Sequence, residues 1–265
     1  MLTFIAICLL VGCIVGFLAG LFGIGGGLVI VPTLVYLLPM MGVPEPLLMS
    51  TALGTSFATI VITGFSSAQR HHKLGNIVWD AVKILIPVIM VTVFICGLFI
   101  GKLDRAVVAK LFACLVVYLA IKMLVSIKSK ATQSSKTLTT TSSIVGGILI
   151  GMASSAAGIG GGGFIVPFLN SRGIDMKKAI GSSAFCGMLL GLSGMLSFAV
   201  SGWGNTTMPE YSLGYIYLPA VLGITATSFF TSKLGATATS KLPVPILKKG
   251  FALLLIVIAV DMFLK

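Results

Sequence analysis

Two glycine clusters are the residues of this sequence whose type and spacing best suit ligand binding. The first runs from Gly23 to Gly27 and the second from Gly158 to Gly163, and each is followed by apolar sequence that reaches a proline. Such clusters interrupt a helix, since each glycine costs about 1 kcal/mol relative to alanine. In a membrane, the backbone groups that a break frees must be buried in protein or line a polar cavity. Breaks at matching positions of two halves therefore point to a transporter binding site.

The chemistry that these breaks offer is the recognition of a small anion. A helix that starts after a glycine cluster presents unbonded N–H groups and about half a positive charge. Hydroxyls on the next apolar run of each half could add donors, although Ser and Thr also bond to their own helix backbone. The predicted substrate-binding residues are Gly23, Gly25, Gly26, Gly27, Thr55, Ser56, Gly158, Gly160, Gly161, Gly162, Gly163, Ser182 and Ser183.

Acidic residues are scarce, and this also favours an anion. All six lie in loops or near the ends of apolar runs. Carriers of protons or cations usually bury a carboxylate or a histidine inside the membrane. A core without a carboxylate does not suit a cation, so we expect neither a metal site nor a cofactor.

The two histidines suggest a second kind of site. His71 and His72 flank a basic loop, and a solvated loop is their expected environment. A cytoplasmic gate or pH sensor is the alternative, because histidine titrates near neutral pH. Gln69 and Asn76 border the same loop and are candidate gate residues with them.

Two enzyme-like motifs are weak matches. The segment 158–163 fits the GxGxxG pattern, but it follows an apolar membrane run rather than a strand, which argues against a dinucleotide site. Gly191-Leu192-Ser193-Gly194 fits the GxSG pattern of rhomboid-type intramembrane proteases, which need a histidine base beside the serine. Because both histidines are predicted in a polar loop, we expect a protein that is not an enzyme. An intramembrane serine hydrolase remains an alternative.

Apolar membrane helices must position these residues. The chain of 265 residues is 57% hydrophobic and 9% charged, whereas a soluble domain carries about 25% charged residues. Several apolar runs reach the roughly 20 residues that a membrane span needs. The net charge of +12 arises from Lys and Arg between these runs, where they face lipid headgroups, so nucleic-acid binding is not expected. The expected fold class is an all-α polytopic membrane protein.

The chain is an internal duplication. Ala52-Leu53-Gly54-Thr55-Ser56 recurs as Ala179-Ile180-Gly181-Ser182-Ser183. Residues 1–125 are the predicted first transmembrane repeat, residues 126–143 a polar cytoplasmic linker, and residues 144–265 the second transmembrane repeat. Each repeat is predicted to be a glycine-broken, partly re-entrant hairpin followed by three transmembrane helices.

The charges predict that the two repeats are inverted. Basic loops stay in the cytoplasm, which places the segment 70–73 and the linker inside. The loops 42–47 and 203–212 contain no Lys or Arg and are placed outside. One hairpin plus three spans is an odd number of crossings, so the second repeat starts from the opposite side of the membrane.

In these motifs the sequence resembles the sulfite exporter TauE/SafE family, also described as the toluene sulfonate uptake permease family. The resemblance is carried by GLFGIGGGLVIVPTL at residues 20–34, by the Ala52 to Ser56 segment, and by their counterparts from Gly158 and Ala179. It implies a multi-pass permease of the cell (inner) membrane. The implied substrates are small sulfur-containing anions such as sulfite, sulfoacetate or related organosulfonates.

The expected partners are thus a small inorganic or organosulfur anion and the lipid bilayer, and the expected mechanism is alternating access. The membrane potential contributes about 2.3 kcal/mol per charge per 100 mV. An anion therefore leaves a negative interior downhill, which favours export. A passive anion channel is the alternative within transport.

Overall fold

The computed structural model describes residues 2–128 and 139–243, together with residues 249, 250 and 253. This part of the chain is almost entirely helical. The first half contains α1 (Leu2–Phe22), α2 (Gly27–Leu37), α3 (Leu48–Lys73), α4 (Trp79–Ile100) and α5 (Arg105–Lys128). The second half contains α6 (Thr140–Ala157), α7 (Gly162–Ser171), α8 (Met176–Ser201) and α9 (Leu218–Lys241). Most of the predicted linker 126–143, and most of the C-terminal part of the predicted second repeat, lie outside the described residues.

Short irregular elements join these helices. Two 3-10 turns, Leu38–Met41 and Glu45–Leu47, lead from α2 to α3. A two-stranded antiparallel hairpin of β1 (Ser212–Leu213) and β2 (Ile216–Tyr217) precedes α9. The hairpin was not predicted, because two-residue strands leave no periodic signal in the sequence.

The helices are suited to a lipid environment. Five of the described helices are long and apolar enough to cross a membrane, in the segments Thr3–Phe22, Glu45–Lys73, Trp79–Ile100, Thr140–Ala157 and Met176–Ser201. Large apolar side chains such as Leu10, Phe99 and Leu222 are exposed on the outside of the bundle, as expected where lipid is the solvent. The protein is therefore an all-α polytopic membrane protein.

The helices of the two halves interlock. α3 and α8 pack on each other at the centre, where the rings of Phe57 and Phe198 lie 5.8 Å apart. α1 packs on α9, and α6 packs on α4. The first helix of each half thus lies against the fourth helix of the other half.

Small residues allow the close approach of α1 and α9. A Cβ atom at Gly16 would lie 2.5 Å from the Cα atom of Ser228, and a Cβ atom at Gly20 would overlap the carbonyl of Ser232. From the other side, a Cβ atom at Gly235 would overlap the carbonyl of Phe17. Close backbone packing of this kind replaces the hydrophobic driving force that is missing between helices in lipid.

Candidate functional site

Both glycine clusters break a helix. α1 ends at Phe22 and α2 begins at Gly27, while α6 ends at Ala157 and α7 begins at Gly162. The residues immediately before α2 and α7 are Gly26, with φ +88°, and Gly161, with φ +74°. These left-handed conformations exclude most residues other than glycine.

The two breaks cross each other inside the protein. A Cβ atom at Gly160 would lie 3.2 Å from the Cα atom of Gly25. A Cβ atom at Gly27 would overlap the carbonyl of Gly158, and one at Gly162 would overlap the carbonyl of Gly23. The structure thus brings the two predicted glycine clusters together. In this conformation they are in direct backbone contact and buried.

Two of the predicted hydroxyls connect the halves at these breaks. Ser56 Oγ on α3 donates to the carbonyl of Gly158 at 2.8 Å. Ser183 Oγ on α8 donates to the carbonyl of Gly23 at 3.0 Å. Each serine therefore reaches from the third helix of its own half to the break of the other half.

The other two predicted hydroxyls bond to the start of a helix. Thr55 Oγ1 accepts from the N–H of Tyr217 at 3.0 Å, and Ser182 Oγ accepts from the N–H of Val78 at 2.9 Å. Tyr217 and Val78 are the residues before α9 and α4, where backbone N–H groups have no partner within the helix. All four hydroxyl residues are fully buried, and each contacts the opposite half of the molecule.

The first turns of α2 and α7 carry backbone N–H groups that donate no hydrogen bond to the described residues. The N–H groups of Val29 and Phe164 donate to the carbonyls of Gly26 and Gly161 at 3.0 and 2.9 Å. The two preceding N–H groups in each helix find no acceptor among the described residues; they belong to Gly27, Leu28, Gly162 and Gly163. Helix N-termini in this condition are partly positive and attract anions.

No buried carboxylate in the described part of the chain balances these N–H groups. The five acidic residues in the described part of the chain are Glu45, Asp80, Asp104, Asp175 and Glu210, and all are exposed. Glu45 pairs with Arg105 at the surface. No cluster of three metal-ligating side chains occurs among the described residues.

His71 does not lie in a solvated loop, and this expectation was wrong. It belongs to the last turn of α3 and is fully buried. Its Nε2 lies 3.1 Å from the carbonyl oxygen of Gly20, so Nε2 carries the hydrogen and donates. Nδ1 is then the acceptor for Nδ2 of Asn76, at 3.4 Å. His72 is exposed, as expected, and packs edge-on against Trp79.

A group of polar side chains ties four helices together around His71. Asn76 Nδ2 also donates to Ser240 Oγ at 3.0 Å, and Lys177 Nζ donates to the carbonyl of Ser240 at 2.7 Å. Thr239 Oγ1 donates to the carbonyl of Leu21 at 2.7 Å. We call His71, Asn76, Lys177, Thr239 and Ser240 the polar clasp. It joins α3, α8 and α9 to the last turn of α1, directly before the first glycine break.

The polar clasp differs from the candidate gate predicted from the sequence. It includes His71 and Asn76, whereas Gln69 and His72 are exposed beside it. Lys177, Thr239 and Ser240 were missed, because they lie more than 100 residues away along the chain and belong to no motif. The hydroxyl-rich sequence at the end of α9 could have indicated Thr239 and Ser240, and the basic sequence at the start of α8 could have indicated Lys177.

Ser193 takes part in packing. Its Oγ donates to the carbonyl of Met90 at 2.6 Å and connects α8 to α4. Among the described residues, neither histidine is hydrogen-bonded to this serine. The GxSG segment therefore lacks the serine and histidine pair that a serine hydrolase uses.

Comparison with known proteins gives a family and relatives that cover almost the whole chain. The family model described as sulfite exporter TauE/SafE matches residues 8–262. A probable membrane transporter protein of Haemophilus influenzae is 80% identical over 265 residues, which is 100% of both chains. A probable membrane transporter protein of Methanocaldococcus jannaschii is 31% identical over 244 residues, 91% of this chain and 88% of the relative. No solved structure matches the chain.

The family match extends over both glycine breaks and over the helices that hold them. The relatives share nearly the full length of the chain rather than one motif. Together with the membrane-spanning helices, these matches mean that the chain is a multi-pass membrane transporter and belongs to the sulfite exporter TauE/SafE family.

Proposed function

We propose that the protein is a permease that moves small sulfur-containing anions across the cytoplasmic membrane by alternating access, in the direction of export. The substrate class is sulfite, sulfoacetate or a related organosulfonate, as the family name and the sequence resemblance suggest. The observation that carries the proposal is the crossing of the two glycine breaks. Both present helix N-terminal N–H groups without a described acceptor beside buried hydroxyls, and every described carboxylate is exposed at the surface.

The proposed binding groups become available when the two breaks separate. In the described conformation the breaks touch, and Ser56 and Ser183 are bonded to the carbonyls of Gly158 and Gly23. Separation of the halves frees both hydroxyls at the moment when it makes space between the amides. The same movement would thus assemble a set of donors suited to the oxygens of a sulfite or sulfonate group.

We infer that the two halves are inverted repeats that rock against each other. The hydrogen bonds of the site occur in matched pairs, Ser56 with Ser183 and Thr55 with Ser182. The helix contacts are matched in the same way, α1 on α9 and α6 on α4. Such pairing supports alternating access around one site near the midplane.

The polar clasp is the proposed cytoplasmic gate. It holds the ends of α3 and α9 and the start of α8 against the end of α1, immediately before the first break. Opening towards the cytoplasm requires these contacts to separate. A second proton on His71 would go to Nδ1, which faces the donor group of Asn76, and would weaken the clasp.

Flux into proteoliposomes tests the function. We expect saturable transport of sulfite or a sulfonate, exchange with internal substrate, and faster efflux when the interior is negative, since each charge gains about 2.3 kcal/mol per 100 mV. Sulfate, thiosulfate and a pH gradient serve as comparison conditions. Flux that does not saturate and shows no exchange would instead indicate a passive channel.

Two variants connect this flux to the breaks. Gly25→Val and Gly161→Val place a branched side chain at positions with φ +69° and +74°, and we expect both to abolish transport. Gly204→Val is the matched control, because it places the same side chain at φ +77° in an exposed position away from the breaks, with nothing within 4 Å of the new Cβ. Normal transport by folded Gly25→Val and Gly161→Val proteins would contradict the proposed site.

A further inference from the structure

A groove on the outer surface of the second half is separate from the proposed anion site. It has a volume of about 720 Å³ and lies between α5, α6 and α7. Its walls are apolar and include Leu115, Leu149, Phe164 and Phe168. Val145 and Leu149 on its rim are 53% and 61% exposed, so the groove opens sideways towards the surrounding lipid.

One end of the groove is polar and positively charged. Thr139, Thr141, Ser142 and Arg172 line this end. Arg172 is stacked on Phe168, with its guanidinium carbon 5.5 Å from the ring centroid, and no described carboxylate pairs with it. The Oγ atom of Ser142 is buried without a hydrogen-bond partner.

The sequence that precedes Thr139 is also basic. Residues 121–138, which comprise the last turns of α5 and the sequence up to Thr139, contain four lysines and no acidic residue. The nearest acid along the chain from Arg172 is Asp175, whose carboxylate accepts from the N–H of Lys177. Among the described residues that line the polar end, a negatively charged group would therefore meet a positive side chain and hydroxyl groups, and no carboxylate.

The length of the groove matches one leaflet of a bilayer. From Thr141 to Ala153 the groove follows twelve residues of α6, about 18 Å at 1.5 Å per residue. Half of the hydrocarbon core of a bilayer is about 15 Å. An acyl chain can therefore lie along the apolar wall while its phosphate remains at the polar end.

We propose that this groove is a binding site for an anionic phospholipid, with its phosphate at Arg172 and Ser142 and one acyl chain between α6 and α7. Basic pockets between transmembrane helices on the cytoplasmic side bind such headgroups. The positive charge of the linker predicts that the polar end of the groove lies on the cytoplasmic side. Phe164, in the first turn of α7, lines the groove. The lipid thus contacts the helix that carries the second glycine break.

Native mass spectrometry tests the proposal. The full-length protein is taken from membranes with equal amounts of phosphatidylglycerol and phosphatidylcholine, and the lipids that stay bound are counted. We expect phosphatidylglycerol to be retained in preference to phosphatidylcholine. Arg172→Gln should reduce this retention about five-fold, since a basic residue near the headgroups contributes about 1 kcal/mol.

Two further variants separate the groove from general effects of charge and folding. Lys233→Gln is the matched control, because Lys233 is also stacked on an aromatic ring, with Nζ 4.4 Å from the centroid of Phe229, but lies on α9. It should leave retention unchanged. Ala153→Phe fills the apolar end without changing any charge, and it should lower retention as well.

Three results would overturn the proposal. The first is equal retention of the two lipids by the unchanged protein. The second is equal retention of phosphatidylglycerol by Arg172→Gln and Lys233→Gln. The third is retention of phosphatidylglycerol that appears only after residues 129–138 are replaced by a glycine and serine segment of equal length. That result would mean that the linker, and not a lipid, occupies the groove.

Discussion

At the scale of single residues, small side chains are used where larger ones would be expected in a core. Ser56 and Ser183 are fully buried, and each satisfies a carbonyl that a glycine break has freed. In hydrocarbon, a carbonyl without a donor is costly. The serines therefore stabilise the breaks in the closed conformation, and the glycines allow the two breaks to touch.

Removal of either serine hydroxyl should destabilise the closed conformation. We expect Ser56→Ala and Ser183→Ala each to lower the free energy of unfolding by about 1 kcal/mol, the usual range for a hydrogen bond between membrane helices. Thermal unfolding in detergent measures the change. Ser67→Ala is the control, since the Oγ of Ser67 is buried without a partner and its loss should not destabilise. Equal losses in all three variants would show that the two bonds are unimportant.

The crossing of the breaks gives a second residue-scale prediction. Gly27→Ala places a Cβ atom on the carbonyl of Gly158, and Gly162→Ala places one on the carbonyl of Gly23. Both contacts are with backbone atoms, which cannot move away by a change of rotamer. We therefore expect the free energy of unfolding to fall by about 1 to 3 kcal/mol, as for an overpacked core. Unfolding in detergent measures it. Gly163→Ala should be neutral, because only the end of Leu119 must move and alanine favours the helix.

At the scale of the helices, much of the fold could be predicted from the sequence. Apolar length and glycine clusters placed the end of α1, the start of α2, and the matching break between α6 and α7 close to where they are found. These features are local, because a helix break depends on the backbone preferences of the residues within it. The two glycine clusters that the sequence singled out are also adjacent in space.

The helix ends that were not predicted depend on contacts between distant parts of the chain. α3 continues to Lys73 because His71 is buried against α1, and α9 continues to Lys241 because Ser232, Ala236 and Thr239 are buried there too. Both helix ends are polar, so a prediction from hydropathy alone ends these two helices too early. A polar residue that is buried by a partner more than 100 positions away carries no local signal of its burial.

The polar clasp gives the prediction for this scale. Asn76→Ala removes the donor to both His71 Nδ1 and Ser240 Oγ, and we expect it to favour the conformation that is open to the cytoplasm. A cysteine introduced as Ser183→Cys, in a protein without its native cysteines, should then react faster with a charged thiol reagent. The flux assay provides the control for function.

The matched control for the clasp is Asn170→Ala. It removes a hydrogen bond to the carbonyl of Ile174 at the end of α7, outside the clasp. It should leave the reactivity at position 183 unchanged. If both asparagine variants react at the same rate as the parent, the clasp does not control access.

At the scale of the whole molecule, the two halves are locked together rather than placed side by side. The helix before each glycine break and the central helices pack on the opposite half: α1 lies on α9, α6 on α4, and α3 on α8, whereas α2 and α7 pack on α3 and α8 of their own half. A movement of one half must therefore change both breaks together. This coupling is what a carrier needs, because a substrate site that opens on one side must close on the other.

The proposed inverted arrangement predicts opposite sidedness for equivalent positions in the two halves. Met40 lies shortly after α2, and Ser171 is the last residue of α7. Lys73 is the last residue of α3, and Thr206 lies shortly after α8; all four are exposed. As single cysteines in the cysteine-free protein, Met40→Cys and Thr206→Cys should react with an impermeant reagent from outside. Lys73→Cys and Ser171→Cys should react only from the cytoplasmic side. Labelling of right-side-out and inside-out vesicles measures the side from which each cysteine reacts. If equivalent positions react from the same side, the halves are parallel. A rocking movement about a shared site would then have no basis.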